Sequence, residues 1–215
     1  MNEADYAIGQ AHINYLDRYF KFPLFLWNDI KSIKKSREQV LNSPIRKKFC
    51  AAIISNNIST DGFRLNFINE LNRYKKIDMG GKYQNNVGGP INNKIEFLSS
   101  YKFSIAMENS EGDGYLSEKI IDSLISGTIP IYYGDYMIDE YINPKVYILI
   151  KDERNIKEKI EYIKSIDEND EKYINLLKEN VIIDEGISNK IENEEKKFLQ
   201  HIFEQDKIKA KRAKN

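Results

Sequence analysis

The sequence predicts an α/β fold with a Rossmann-like parallel sheet and helices on both faces. Short, continuous apolar runs such as "FCAAIIS" from Phe49 and "KFSIAM" from Lys102 are typical of strands that are buried on both sides. Each run is followed by a segment with apolar residues at helical spacing, "DGFRLNFINELNRY" and "YLSEKIIDSLIS". Strands that alternate with helices over short connections form βαβ units and therefore a parallel sheet.

The chain divides into three segments in sequence order, residues 1–47, 48–153 and 154–215. Residues 1–30 mix aromatic and apolar residues and are expected to pack on a neighbour, whereas residues 31–47 are polar and basic and are predicted to be a loop or linker. Residues 48–153 hold the strand–helix alternation, which continues through the strand "IPIYYG", the short helix "MIDEYI" and the strand "VYILI". Residues 154–215 are charged and predicted to be helical.

Composition excludes several classes of function. Lysine plus arginine and aspartate plus glutamate both total 33, and the zero net charge argues against a protein that attracts nucleic acid with its whole surface. A single cysteine, Cys50, allows no intrachain disulfide and fits a reducing compartment. With no leader-like start and no apolar run of about 20 residues, we expect a cytoplasmic chain. Its membrane contact would be at most peripheral, through the basic end "DKIKAKRAKN".

A candidate ligand site follows the strand-like run "KFSIAM". Ligands of open α/β sheets bind beyond the carboxyl ends of the strands. Tyr115, Glu118, Lys119 and Asp122 share one face of the predicted helix. The free N–H groups of a helix N-terminus and the Lys119 ammonium favour an anion, while Glu118 can accept hydrogen bonds from hydroxyls. A phosphorylated sugar uses all three features, although a solvated helix face is the plainer interpretation of the same residues.

Two further pieces favour the ligand site. Arg64 lies near the start of another helix after another strand end, and its guanidinium offers a planar fork of donors that matches phosphate oxygens. The glycine-rich stretch "DMGGKYQNNVGGP", residues 78–90, would let backbone approach a ligand closely. Neither a dinucleotide-binding fingerprint nor a P-loop is present in the sequence.

The segment "YKFSIAMENSEGDGYLSEKIIDSLISGTIPIYYG" resembles the hallmark segment of the α1,3/α1,4-fucosyltransferases, glycosyltransferase family 10, and is most like the bacterial members. The resembling residues are Tyr101-Lys102-Phe103, Glu108-Asn109-Ser110, Tyr115 to Lys119, and the strand from Ile129 to Gly134. The similarity continues through "AAIISN", "GFRLNF", "DMGGKYQNNVGG" and "NPKVYILI", over roughly residues 4–180.

The resemblance implies the C-terminal, donor-binding half of a GT-B enzyme that transfers fucose from GDP-fucose to a glycan hydroxyl, α1,3-type and with inversion. It implies that Arg64 and Lys119 hold the pyrophosphate and that Tyr115 and Glu118 contact the ribose and fucose hydroxyls. Asn109 would lie beside the sugar phosphate, Glu108 in the floor of the site, and Ser55 and Asn56 on the guanosine side. No cofactor is required by this interpretation, which leaves room for stimulation by a divalent cation.

The resemblance also leaves the catalytic residue unassigned. The family has its general base in the N-terminal half, shortly before the segment that matches "DYAIG", and Glu3 is too close to that segment to be the same residue. Three alternatives stay open: one half of a split transferase with a second chain, a catalytically incomplete nucleotide-sugar-binding module, or an enzyme with a rearranged acceptor site for an oligosaccharide. An exposed apolar surface at residues 15–27 would favour a partner chain.

The remaining reactive residues are predicted to be structural. Cys50 is expected in the core, and His12 and His201 are too isolated for a metal site. Glu108 is expected to form a strand-end hydrogen bond, and Glu111 is expected to lie in an exposed turn. Neither is expected to act as a substitute general base. Trp27 is expected to serve packing.

Overall fold

A computed structural model describes residues 5–27, 31–43, 48–55, 62–109, 114–206 and 209. The strands are β1 (Ala7–Gly9), β2 (Tyr19–Lys21), β3 (Lys48–Ala52), β4 (Ile77–Met79), β5 (Tyr101–Met107), β6 (Ile129–Tyr133) and β7 (Ile148–Leu149). The last five form one parallel sheet in the order β4-β3-β5-β6-β7, and β1 pairs with β2 in a separate two-stranded ribbon. The predicted α/β class with a parallel sheet is confirmed.

The register of the sheet aligns the carboxyl ends of its central strands. Ala52 at the end of β3 lies opposite Ile105 of β5, and Met107 at the end of β5 lies opposite Tyr133 at the end of β6. The residues that follow β3 and β5 therefore leave the sheet at the same edge, where a ligand site was expected.

Helices cover both faces of the sheet. They are α1 (Lys31–Leu41), α2 (Phe63–Asn72), α3 (Lys94–Leu98), α4 (Glu118–Ile125), α5 (Ile156–Asp167), α6 (Asp170–Lys178) and α7 (Ile187–Glu204). Alternate residues of β5 show the two layers: Phe103 and Met107 pack in one core with α2 and α5, whereas Ala106 packs in a second core with α4. Among the described helices, none is both long enough and apolar enough to cross a membrane.

The loop predicted for residues 31–47 is wrong over Lys31–Leu41, which forms helix α1. Ile33 and Arg37 lie one turn apart and are both buried. The Arg37 Nη1 group donates to three main-chain carbonyls at the end of α6, those of Leu176, Leu177 and Glu179, at 3.0–3.3 Å. Burial lowers the pKa of Arg37 to about 10. The helix was not predicted because its inward-facing Arg37 breaks the apolar pattern of the sequence. In the structure, this arginine donates to the carbonyls at the end of another helix instead of to water.

The N-terminal segment packs on the α4 face of the sheet, as predicted for residues 1–30. Phe22 and Phe25 are buried in the same core as α4, and the Phe25 ring lies 5.2 Å from the Tyr141 ring between centroids. The exposed apolar residues lie mainly before this point: Leu16 is 89% exposed, and Ile8, Ile13 and Tyr15 are also exposed. Within 15–27, the exposed large apolar residues among those described are Tyr15 and Leu16, so the condition that would favour a partner chain is met at these two positions. The Trp27 side chain lies outside the described part.

Candidate functional site

The end of β5 and the start of α4 are joined by a buried carboxylate. Glu108 is 1% exposed, and its main-chain N–H donates to the Tyr133 carbonyl at 2.7 Å. Its carboxylate accepts hydrogen bonds from the Ser117 N–H at 3.0 Å, from the Ser117 hydroxyl at 2.6 Å and from the Lys119 Nζ at 2.5 Å. Glu108 therefore has the strand-end hydrogen-bonding role, and it satisfies part of the helix N-terminus that was expected to favour a ligand anion.

Helix α4 begins at Glu118, three residues later than the sequence analysis predicted by including Tyr115. Ser117 is its N-cap, so Tyr115 precedes the helix and does not share its face. A turn brings Tyr115 to the site instead. Gly114, with φ of +82°, occupies that turn, and a Cβ there would lie 1.9 Å from the Gln10 carbonyl oxygen. Only glycine fits both the left-handed conformation and the close backbone contact.

A cleft of about 280 Å³ opens at the carboxyl edge of the sheet. Six predicted site residues line it: Ser55, Arg64, Asn109, Tyr115, Glu118 and Lys119. Glu108 is buried and pairs with Lys119 at this edge, and Asn56 lies outside the described residues. The sequence-predicted residues therefore come together from the ends of β3 and β5 and the starts of α2 and α4.

Two of the cations that line this cleft, Arg64 and Lys119, are each oriented by a neighbouring side chain. Arg64 is only 3% exposed, and its Nη1 group donates to the Asn109 Oδ1 atom at 2.5 Å. Burial lowers the pKa of Arg64, and the negative charge of Glu108 opposes that shift. Lys119 is held by Glu108. Both positive groups are therefore oriented by side chains of the protein.

Sequence reasoning missed two charged residues that also line the cleft. Lys94 is the first residue of α3, and its Nζ atom lies 3.7 Å from carboxylate oxygens of both Glu118 and Asp122. Asp122 was placed on the polar face of α4 but not in the site, and burial raises its pKa. Lys94 gave no signal in the sequence, because only the packing of α3 against α4 brings it to the cleft.

The glycine-rich stretch 78–90 serves the protein's own packing and does not line this cleft. The Asn86 side chain donates to the Ile77 carbonyl at 3.0 Å and accepts from the Met79 N–H at 2.8 Å, so it covers the edge of β4. A Cβ on Gly81 would lie 1.9 Å from the Ile54 carbonyl oxygen. At Gly81, the backbone therefore closely approaches another part of the chain, the main chain of Ile54, and not a ligand.

The other reactive residues have structural surroundings. Cys50 is 1% exposed in the sheet, and burial raises the pKa of its thiol. The His12 Nε2 atom lies 2.9 Å from Asp135, and that of His201 lies 2.8 Å from Asp17. Across the described ranges, no group of three or more His, Cys, Asp or Glu residues could hold a metal ion. Glu111 lies outside the described residues.

Comparison with known proteins identifies relatives of this chain. The profile of glycosyltransferase family 10 (fucosyltransferase), C-terminal part, matches residues 43–196. The α-(1,3)-fucosyltransferase FucT of Helicobacter pylori is 32% identical over 212 residues, which cover 83% of this chain and 44% of the relative. The putative fucosyltransferase R654 of Acanthamoeba polyphaga mimivirus is 32% identical over 176 residues, which cover 76% of this chain and 29% of that protein.

Solved structures agree with the sequence relatives. A crystal structure of an α1,3-fucosyltransferase with GDP-fucose is 29% identical and matches with a TM-score of 0.79, over 94% of this chain and 70% of that one. A structure with GDP matches with a TM-score of 0.76. The chain thus spans less than half the length of the two curated relatives described above. By its profile match and its relatives, the chain belongs to glycosyltransferase family 10, the fucosyltransferases.

Proposed function

We propose that the chain is the donor-binding half of an inverting fucosyltransferase, which transfers fucose from GDP-fucose to a glycan hydroxyl in an α1,3-type linkage. The observation that carries this proposal is the meeting of Arg64 and Lys119 in one cleft, from helices that follow two different strands of a parallel sheet. A family relative whose crystal structure contains GDP-fucose supports the identity of the donor.

The charge of the cleft matches what the reaction requires. In the displacement, the acceptor oxygen forms a bond to the anomeric carbon of fucose while the bond from that carbon to the phosphate oxygen breaks. The departing GDP gains negative charge, which the fixed cations of Arg64 and Lys119 stabilise. Tyr115 and Glu118 supply a hydroxyl and a carboxylate for the ribose and fucose hydroxyls, and Asn109 lies beside the sugar phosphate.

Binding of the pyrophosphate is proposed to need no metal ion, because two protein cations can take that place, although a divalent cation could still stimulate the reaction. The proton of the acceptor hydroxyl must pass to a general base, which we assign to no residue described here. We retain the cytoplasmic location expected from composition, with membrane contact at most peripheral.

A second candidate function is a nucleotide-sugar-binding module that is catalytically incomplete or depends on a second chain for its acceptor domain. The exposed apolar residues near the N-terminus, with Leu16 89% exposed and Tyr15 49% exposed, favour this alternative. Exposed apolar residues that lie together are expected where another domain or chain packs.

Calorimetric titration of the purified chain with GDP-fucose, GDP and UDP tests donor binding. A transfer assay with a galactosyl-N-acetylglucosamine acceptor on the same sample then tests catalysis. Guanine-selective binding with transfer is the expected result for a working enzyme. Selective binding without transfer would favour the incomplete module or the two-chain enzyme, and a lack of binding to all three compounds would refute both functions.

A further inference from the structure

A cavity of about 580 Å³ lies between α1 and the segment that runs from the end of α6 to the start of α7. The described residues that line it include none of those that line the cleft of Arg64 and Lys119. Its volume is in the range of sites that hold small molecules, and its apolar walls suit a ligand with an apolar body. The apolar side chains of these walls are Ile33, Leu41, Leu177, Val181, Ile182 and Ile187.

Arg37 of α1 places a charged group in the wall of this cavity. The residue is only 4% exposed, and its Nη1 group is occupied by the carbonyls at the end of α6. The Nε and Nη2 atoms form the other edge of the guanidinium and have no hydrogen-bond partner among the described residues. Unpaired donors of a buried cation cost free energy, so a ligand that accepts hydrogen bonds would be stabilised at this edge.

The carboxylates among the described lining residues do not hydrogen-bond to this edge. The charge of Glu179 opposes the effect of burial on Arg37, yet burial is the larger effect and lowers the pKa of the guanidinium to about 10. The Glu179 carboxylate instead lies 3.8 Å from the Lys145 Nζ atom. An anion that entered the cavity would pair with the buried cation and raise the pKa of Arg37 again.

We propose that this cavity binds a small monocarboxylate with an aliphatic chain, whose carboxylate pairs with the Nε–Nη2 edge of Arg37 while its chain lies against the apolar walls. Two parallel N–H groups match the two oxygens of a carboxylate. The inference goes beyond the proposed function and does not depend on it. A dianion such as phosphate is disfavoured, because three carboxylates also line the cavity: Glu38, Glu179 and Glu185.

The position of this edge also determines how the ligand enters. Both Nε and Nη2 are closed to surface water, so the carboxylate has to pass between the cavity walls rather than rest at the mouth. The bound aliphatic chain would then touch α1 on one side and the residues from Val181 to Ile187 on the other. Because these walls come together only in the folded chain, the ligand stabilises the folded state.

Octanoate and 1-octanol test the proposal on the native chain, because they have the same number of carbons and differ in the oxygen-bearing group. We expect octanoate to bind about tenfold or more tightly than the alcohol in calorimetric titrations, since only the carboxylate forms charge-assisted hydrogen bonds with both nitrogens. Octanoate should also raise the Tm. This rise should persist when GDP is present in excess, because the cavity and the cleft are separate.

Three results on the native chain would overturn the proposal. Equal affinity for the two compounds would mean that the apolar walls alone bind them. A lack of octanoate binding would mean that the Nε–Nη2 edge is satisfied by buried water. An octanoate effect that GDP abolishes would place the carboxylate beside Arg64 and Lys119 instead.

Two variants locate the site. Arg37→Lys keeps a cation that can donate to the α6 carbonyls but lacks the parallel donors, so the preference for octanoate over octanol should fall about tenfold. Ile187→Trp places a larger side chain at a half-buried wall position and should abolish binding of both compounds. Arg154→Lys is the matched control, because Arg154 is exposed and pairs with Asp152, and it should leave both affinities unchanged.

A native-like preference for octanoate in Arg37→Lys would refute the pairing with the guanidinium edge. Native-like octanoate binding by Ile187→Trp would exclude this cavity as the site. If Arg37→Lys does not fold, the two compounds on the native chain and the Ile187→Trp variant still decide the question.

Discussion

The proposed binding role of Lys119 and its pairing with the buried Glu108 carboxylate can be separated by substitution. Its ammonium group lines the cleft and also compensates the Glu108 carboxylate, which is 1% exposed. Removing the lysine therefore takes a cation from the ligand site and leaves a buried carboxylate with only the hydrogen bonds from Ser117. An isolated buried charge is costly, so loss of binding in a Lys119 variant alone would not prove direct contact with a ligand.

We expect Lys119→Ala and Arg64→Ala each to weaken GDP binding by roughly 1.5–3 kcal/mol, the range for a hydrogen bond to a charged group. Lys119→Ala should also lower the free energy of unfolding by about 3 kcal/mol, because Glu108 loses its partner. Titration calorimetry and denaturant unfolding measure the two effects. The exposed Lys197 of α7 provides a control substitution, Lys197→Ala, which is expected to change neither.

The double variant Lys119→Ala, Glu108→Gln separates the roles. A neutral glutamine can still accept a hydrogen bond from the Ser117 N–H, so stability should largely return while GDP binding stays weak. If binding returned together with stability, Lys119 would be a structural residue and its assignment to the pyrophosphate would be wrong.

At the scale of elements, the sequence best predicts secondary structure and site residues where the end of a strand and the start of a helix are adjacent. The runs that became β3, β5 and β6 are apolar and continuous, and the helices after β3 and β5 carry the predicted cations. Helix α1 was missed because its buried Arg37 satisfies carbonyls of α6, which adjoin it only in the folded chain. Lys94 was missed for the same reason, since α3 is a helix of five residues with no pattern of its own.

An ionic cluster around the buried Asp167 joins α5, β5 and the turn after α2 at the opposite edge of the sheet. Asp167, at the end of α5, accepts hydrogen bonds from Lys75 at 2.5 Å and from the Tyr74 hydroxyl at 2.9 Å. Lys102 of β5 lies 3.5 Å from the Asp167 carboxylate. Lys102 belongs to the segment that resembles the family's hallmark motif, and its contacts are with this cluster, so this part of the motif has a structural role.

The pKa of Asp167 predicts a pH dependence of stability. Burial raises this pKa, but the hydrogen bonds from Lys75 and Tyr74 and the charge of Lys102 outweigh burial and hold it below the ordinary 3.8. The contribution of the ionised Asp167 carboxylate to the unfolding free energy is therefore complete above pH 3.8. It is lost as the pH falls through the lower folded-state pKa. We expect Asp167→Asn to lower the unfolding free energy by about 3 kcal/mol at pH 7, and the difference from the native chain to shrink below pH 3.8.

Denaturant unfolding at a series of pH values measures this difference. Asp152→Asn is the control, because Asp152 also has a lowered pKa through Arg154 but lies at the surface. It should have little effect at any pH. A constant difference between native chain and Asp167→Asn from pH 7 to below 3.8 would contradict the ionic role of the carboxylate.

For the whole molecule, the sequence has aromatic and apolar residues throughout positions 1–30 but does not show which of them are buried. Phe22 and Phe25 are buried against α4. The exposed residues Ile8, Ile13, Tyr15 and Leu16 instead accompany the β1–β2 ribbon. Hydrophobicity alone cannot distinguish the buried residues from the exposed ones, because residues of both sets are apolar. Which of them are buried is decided by the packing of α4.

Leu16 is the residue of this surface whose substitution is most informative. It is 89% exposed and has a φ of +51°, a left-handed conformation that disfavours leucine and is tolerated by asparagine. We expect Leu16→Asn to raise the unfolding free energy by about 0.5–1 kcal/mol and to reduce self-association in sedimentation velocity. Phe203→Asn removes an 82% exposed ring from helix α7 and should give no gain in stability. Equal effects of the two variants on self-association would show that the N-terminal surface has no special role, and would weaken the case for a second chain packing there.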